Sequence, residues 1–101
     1  MHPIVSARVP EVRALCERFG VQRLTLFGSA ATARFDPASS DLDFLVEFDA
    51  NPAGLADRYF GLLEALEALF QRPVDLVEAR AITNEYFRAG VARASELLYA
   101  A

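Results

Sequence analysis

Two aspartates, Asp41 and Asp43, open an otherwise apolar run that continues to Phe48. A third, Asp75, is embedded in a second short apolar run, Val74-Asp75-Leu76-Val77. Segments this hydrophobic are normally buried, and carboxylates are rare there unless paired or bound to a cation. On an extended strand, residues i and i+2 leave the same face, with α-carbons roughly 6.6 Å apart. Two carboxylates so placed can converge on one hard cation. Without it they repel, and one tends to hold a proton. Three oxygen ligands with no histidine or cysteine suit Mg²⁺ or Mn²⁺ rather than zinc. Asp-x-Asp alone is more often a pair of surface acids; the apolar flanks and Asp75 weaken that alternative. Glu47 shares the parity of Asp43 but lies roughly 13 Å further along, too far to share an ion without a bulge. Asp49, Glu78 and Glu85 fall in or near turns and are expected in solvent.

Upstream, Leu24 to Phe27 is strand-like and breaks at Gly28-Ser29. Glycine lets a backbone approach a phosphate closely, and serine adds a hydroxyl donor. Amides opening a short helical stretch after Ser29 could hold a triphosphate. A Gly-Ser pair alone is an ordinary turn. With the acids downstream, it describes a nucleotide held by its phosphates, with a metal placed at the reacting phosphorus.

The elements that must position these residues follow from periodicity. Val9, Val12, Leu15, Cys16 and Phe19 predict a helix from Val9 to Phe19, stopped by Gly20. Val21 to Phe27 predicts a strand. Ala30 to Arg34 could make one or two helical turns, and Asp36-Pro37 with Ser39-Ser40 marks a loop. Asp41 to Phe48 predicts a second strand. Leu55, Tyr59, Leu62, Leu63, Leu66 and Phe70 predict a helix over Ala53 to Phe70, ended by Arg72-Pro73. Val74 to Val77 predicts a third strand. Asn84 is an expected N-cap for a last helix to about Leu98, carrying Phe87, Val91, Ala94 and Leu98 on one face. The order is helix, strand, short helix, strand, helix, strand, helix. It predicts an α/β domain (α+β in its layering) with one small sheet covered by helices. Periodicity does not set strand order or direction.

Composition bounds the alternatives. The chain has 101 residues, the size of one domain, and is 53% hydrophobic, enough for a real core. Its net charge of −4 disfavours a general nucleic-acid surface. All basic residues are arginine, which excludes a lysine-dependent mechanism and a Walker-type phosphate loop. The lone cysteine, Cys16, permits no internal disulfide and suits a reducing cytosol, and its helical position predicts a buried apolar role. The lone histidine, His2, cannot build a triad or a His-rich zinc site. No apolar run reaches the roughly 18 residues of a membrane span, and no signal peptide is visible.

Gly28-Ser29, eleven intervening residues and then Asp41-Leu42-Asp43 resemble the signature of the polymerase-β-type nucleotidyltransferases. The chain more closely resembles their minimal members, the MNT proteins paired with HEPN-domain toxins. The resemblance rests on Leu26-Phe27-Gly28-Ser29, Ser40-Asp41-Leu42-Asp43-Phe44-Leu45-Val46, the leucine-rich helix and Val74-Asp75-Leu76-Val77, and covers nearly the whole chain. It implies a single domain over residues 1–101 with a small mixed sheet of nucleotidyltransferase type. Asp41 and Asp43 would carry the metal ions, Mg²⁺ or Mn²⁺, with Asp75 as third carboxylate. Gly28, Ser29, Ser40 and Arg34 would serve the nucleotide. AMP would pass from ATP to a hydroxyl, such as a tyrosine of a HEPN toxin, in the cytoplasm, with no direct nucleic acid or membrane partner. Whether the chain associates with itself or only with its partner is open.

The sequence departs from the family at one place. The usual pattern resembles Gly-Ser-x-Ala-Arg-Gly, but here Thr32 stands at the arginine and Ala33 at the second glycine. Arg34 is adjacent but would project about 100° away on a helix. Two alternatives therefore stay open. One is an antitoxin that masks its partner by contact alone, with Tyr86, Phe87, Leu97, Leu98 and Tyr99 as an interface. The other is a small-molecule adenylyltransferase, which usually needs a further domain to shape the acceptor pocket.

Overall fold

The computed structural model describes residues 1–32, 36, 41–51, 53–81 and 95–101. Four strands, β1 (Val21–Phe27), β2 (Leu42–Phe48), β3 (Val74–Glu78) and β4 (Ser95–Ala100), form one mixed sheet in the order β3-β2-β1-β4. β1 runs antiparallel to β2 and β4, whereas β2 and β3 are parallel. A parallel pair needs a long crossover, and the helix α3 (Leu55–Phe70) is that connection. Two helices precede the sheet, α1 (Pro3–Ser6) and α2 (Val9–Arg18).

The strands alternate as a sheet with one helix-covered face requires. In β2, Leu42, Phe44, Val46 and Phe48 are buried, while Asp43, Leu45 and Glu47 between them are not. The buried set meets Leu24 and Leu26 of β1, Leu76 of β3, Val12 and Cys16 of α2, and Leu62, Leu66 and Phe70 of α3 in one core. Phe44 stacks on Phe70 with ring centroids 6.0 Å apart. Among the described residues, α1, α2 and α3 pack on this face, and the odd-numbered residues of β2, Asp43 among them, belong to the other.

Register tells which residues share that second face. One row across the sheet reads Asp75, Asp43, Phe27, Ser95 from β3 to β4, and the next reads Val77, Leu45, Thr25, Leu97. At the far end of the sheet, Arg58 of α3 joins the chain before β1 to the chain after β2. Its Nη1 donates to the Gly20 carbonyl at 3.3 Å and to Asp49 Oδ1 at 2.9 Å, and its Nη2 donates to the Asn51 carbonyl. The guanidinium also lies 5.4 Å from the Phe48 ring centroid. Among the described residues, no helix is long and apolar enough to cross a membrane.

Three expectations are corrected. The last helix does not reach Leu98: Ser95–Ala100 is β4, and residues 84–94 lie outside the described residues. Burial at Leu98 fits a helix and a strand equally well, and the second edge of β1 decides, because its backbone groups need partners. The β1–β4 register slips between Leu24 and Thr25, so Leu98 is an extra residue, a bulge. Its side chain enters the core at 2% exposure, and Arg13 Nε donates to its carbonyl at 3.1 Å. Next, Asp41 does not lie in β2 but immediately before it, exposed. Finally, the helical turn after β1 starts earlier than expected, as a 3₁₀ turn over Gly28–Ala31.

Candidate active site

Asp43 is the best-placed acid. It sits one residue into β2, directly between Phe27 of β1 and Asp75 of β3. Burial pushes its carboxyl pKa up to about 6, and the negative charges of Asp75 and then Asp41 add to the rise. A half-buried acid that two further acids repel has a large electrostatic incentive to meet a cation. Asp75, on the outermost strand, is exposed, as is Asp41. The sequence-predicted triad is thus brought to one corner of the sheet. Among the described residues, no three such groups already stand close enough to hold a metal ion. The donor set nonetheless fits a hard divalent ion, being all carboxylate oxygen.

Gly28 makes room for Asp43. It follows Phe27, the cross-strand partner of Asp43, and has φ +72°, a left-handed backbone that favours glycine. A β-carbon built on it would lie 2.3 Å from Asp43 Oδ2. The carboxylate therefore packs directly over the backbone of the turn, in space that only glycine leaves free. Beyond it the turn closes on itself. The Thr32 amide and hydroxyl both donate to the Ser29 carbonyl, at 3.1 and 3.0 Å. The buried Ala30 accepts from the His2 amide at 2.9 Å, which ties the N-terminus to this turn. Ser40, Arg34 and Ala33 lie outside the described residues.

Tyr59, expected only as part of the apolar stripe of α3, and Glu67, assigned no role from sequence, both act on β3 beside Asp75. The Tyr59 hydroxyl of α3 donates to the Leu76 carbonyl, and Glu67 Oε2 accepts from the Val74 amide at 3.2 Å. Burial raises the Tyr59 pKa, helped by the nearby negative charges of Asp75 and Glu78. The available signal was the hydroxyl of Tyr59 in an apolar helical stripe, since a buried tyrosine hydroxyl usually finds a partner. Toward the other end of β3, Leu55, Tyr59, Leu76 and Glu78 are among the residues lining an open cleft of about 690 Å³.

Comparison with known proteins agrees with this architecture. The family described as nucleotidyltransferase domain matches residues 12–98. A candidate protein adenylyltransferase of Methanocaldococcus jannaschii is 33% identical over 79 residues, 78% of each chain. Protein adenylyltransferase MntA of Thermococcus cleftensis is 40% identical over 74 residues, 73% of this chain and 69% of the relative. A solved candidate minimal nucleotidyltransferase superposes with a TM-score of 0.75 at 34% identity, covering 91% of this chain and 90% of the other. A chain from the complex of tri-AMPylated Shewanella oneidensis HEPN toxin with MNT antitoxin shares the fold, with a TM-score of 0.66 at 19% identity over 95% of this chain and 72% of its own. The mixed sheet with acids at one corner is that of a nucleotidyltransferase. This chain belongs to the nucleotidyltransferase-domain family, in its minimal form.

Proposed function

We propose that this chain transfers AMP from ATP to a hydroxyl of a HEPN-domain protein and so acts as its antitoxin. The observation that carries the proposal is Asp43, half-buried beside Asp75, under the negative charge of both Asp75 and Asp41, and packed over the Gly28 backbone. The similarity to a protein adenylyltransferase of Thermococcus cleftensis supports the reaction class. The shared fold with the Shewanella oneidensis HEPN–MNT complex supports the kind of partner, and a tyrosine is the acceptor we favour. The whole chain would act as one domain, in the cytosol.

In this reading, Asp41, Asp43 and Asp75 would hold Mg²⁺ or Mn²⁺, and the turn from Gly28 and Ser29 would receive the phosphates of ATP; Ser40 and Arg34 remain nucleotide-binding candidates on the sequence alone. A divalent cation, when bound, lowers the pKa of an attacking hydroxyl and offsets charge on a leaving pyrophosphate. The acceptor oxygen bonds to the α-phosphorus, the bond to the bridging oxygen breaks, and pyrophosphate departs. Asp75, exposed at the sheet edge, takes the hydroxyl proton. Gly28 keeps Asp43 against the turn, so the acid and the phosphate-binding backbone stay in fixed relation.

Labelled ATP tests this directly. With the HEPN-domain protein and Mg²⁺, label at the α-phosphate should become protein-bound and label at the γ-phosphate should not. Protein-bound γ-label would make the chain a kinase instead. Ala30, buried where it meets the N-terminus, favours a second reading in which the turn is closed and the chain only masks its partner. Neither label would then transfer, although the complex would still form.

A further inference from the structure

Asp75 stands on β3, which among the described residues is an edge strand paired with β2 alone. The Pro73 carbonyl accepts from the Leu42 amide at 3.3 Å, so the odd-numbered residues of this segment turn their backbone groups toward β2. The even-numbered Val74 and Leu76 turn theirs to the outer edge, where a strand normally leaves them unpaired. Here α3 takes up both. Glu67 accepts from the Val74 amide at 3.2 Å, and Tyr59 donates to the Leu76 carbonyl. The two bonds bracket Asp75, one on each side of it in the chain. Asp43, its direct neighbour on β2, repels it. A five-residue edge strand carrying that repulsion would tend to move outward, and α3 holds it in place.

We propose that Tyr59 and Glu67 are positioning residues that clamp β3 from its outer edge, fixing Asp75 opposite Asp43 and thereby setting the affinity of the site for a divalent cation. The proposal rests on the assignment of Asp75 as a metal-holding carboxylate. Partners that orient metal ligands commonly carry about 10- to 100-fold in metal affinity. The clamp should show the lower end of that range, because each bond acts on the strand and not on the carboxylate itself.

The test is Mn²⁺ binding followed by electron paramagnetic resonance, with a non-hydrolysable ATP analogue present and thermal melts on every variant. Tyr59→Phe and Glu67→Ala should each weaken Mn²⁺ binding about tenfold. Glu67→Gln keeps an acceptor oxygen and should bind close to the parent chain. In an Asp75→Asn background, Tyr59→Phe should produce no further loss. In the metal-free chain, Glu67→Ala should speed amide exchange at Val74. If Tyr59→Phe and Glu67→Ala melt earlier but bind Mn²⁺ as the parent does, the clamp is only structural and the proposal falls. If Asp75→Asn itself binds as the parent does, the assignment of Asp75 fails, and the clamp's function fails with it.

Discussion

At Asp43 the chain tolerates what a core normally rejects, and the consequence is measurable. Its pKa rises from the ordinary 3.8 to about 6, through burial first and its acid neighbours second. The folded chain therefore binds this proton more tightly than the unfolded chain. The resulting contribution favours folding at low pH and is lost as pH climbs from about 4 through about 6. Metal-free Asp43→Asn should consequently gain thermal stability relative to the parent as pH rises across that window. A parent that gains on the variant would show the carboxylate to be stabilised instead. Gly28 gives a second expectation. Gly28→Ala places a methyl 2.3 Å from Asp43 Oδ2 on a left-handed backbone. Gly54→Ala places one on a similar backbone, φ +65°, with nothing within 4 Å. Both should lose about 1–2 kcal/mol from the backbone alone, read from denaturant melts. Only Gly28→Ala should also lose nucleotide transfer; equal activity in the two would mean Asp43 moves aside freely.

At the scale of elements, much was legible. α2, β1, β2, α3 and β3 lie within a few residues of their expected places, because each carries a periodic apolar face long enough to fix its type. Leu66, fully buried in α3, shows what that face contributes: Leu66→Ala should cost about 2–5 kcal/mol in chemical denaturation. β4 was not legible. Its short Leu97-Leu98-Tyr99 run suits either period, and the demand for a strand comes from the unpaired edge of β1, which no local pattern records. Asp41 shows the same limit, since its parity with Asp43 was clear while the exact start of β2 was not. Arg58 is an element-scale tie as well, and it acts far from the acids. Arg58→Met should lower the melting temperature by breaking its bonds to Gly20, Asp49 and Asn51, with transfer activity retained. A large drop in activity without a change in melting would contradict that separation.

The whole molecule divides its labour between the two faces of one sheet. Among the described residues, helices and core occupy one face, and Asp43, Asp75 and Phe27 share a row on the other. The sequence carried this division in the alternation of β2, where acids interrupt an apolar run on one parity only. The packing of Asp43 over Gly28 and the capping of β3 by α3 were not written there, because both depend on which strands become neighbours. We propose that the acids of this corner form a cation-dependent ATP site. Calorimetric titration with a non-hydrolysable ATP analogue, with and without Mg²⁺, tests it most directly. The parent chain should bind the analogue only with Mg²⁺, and a folded Asp43→Asn chain should lose that binding. Equal binding by Asp43→Asn, or binding by the parent that ignores Mg²⁺, would rule out a cation-dependent site at these acids.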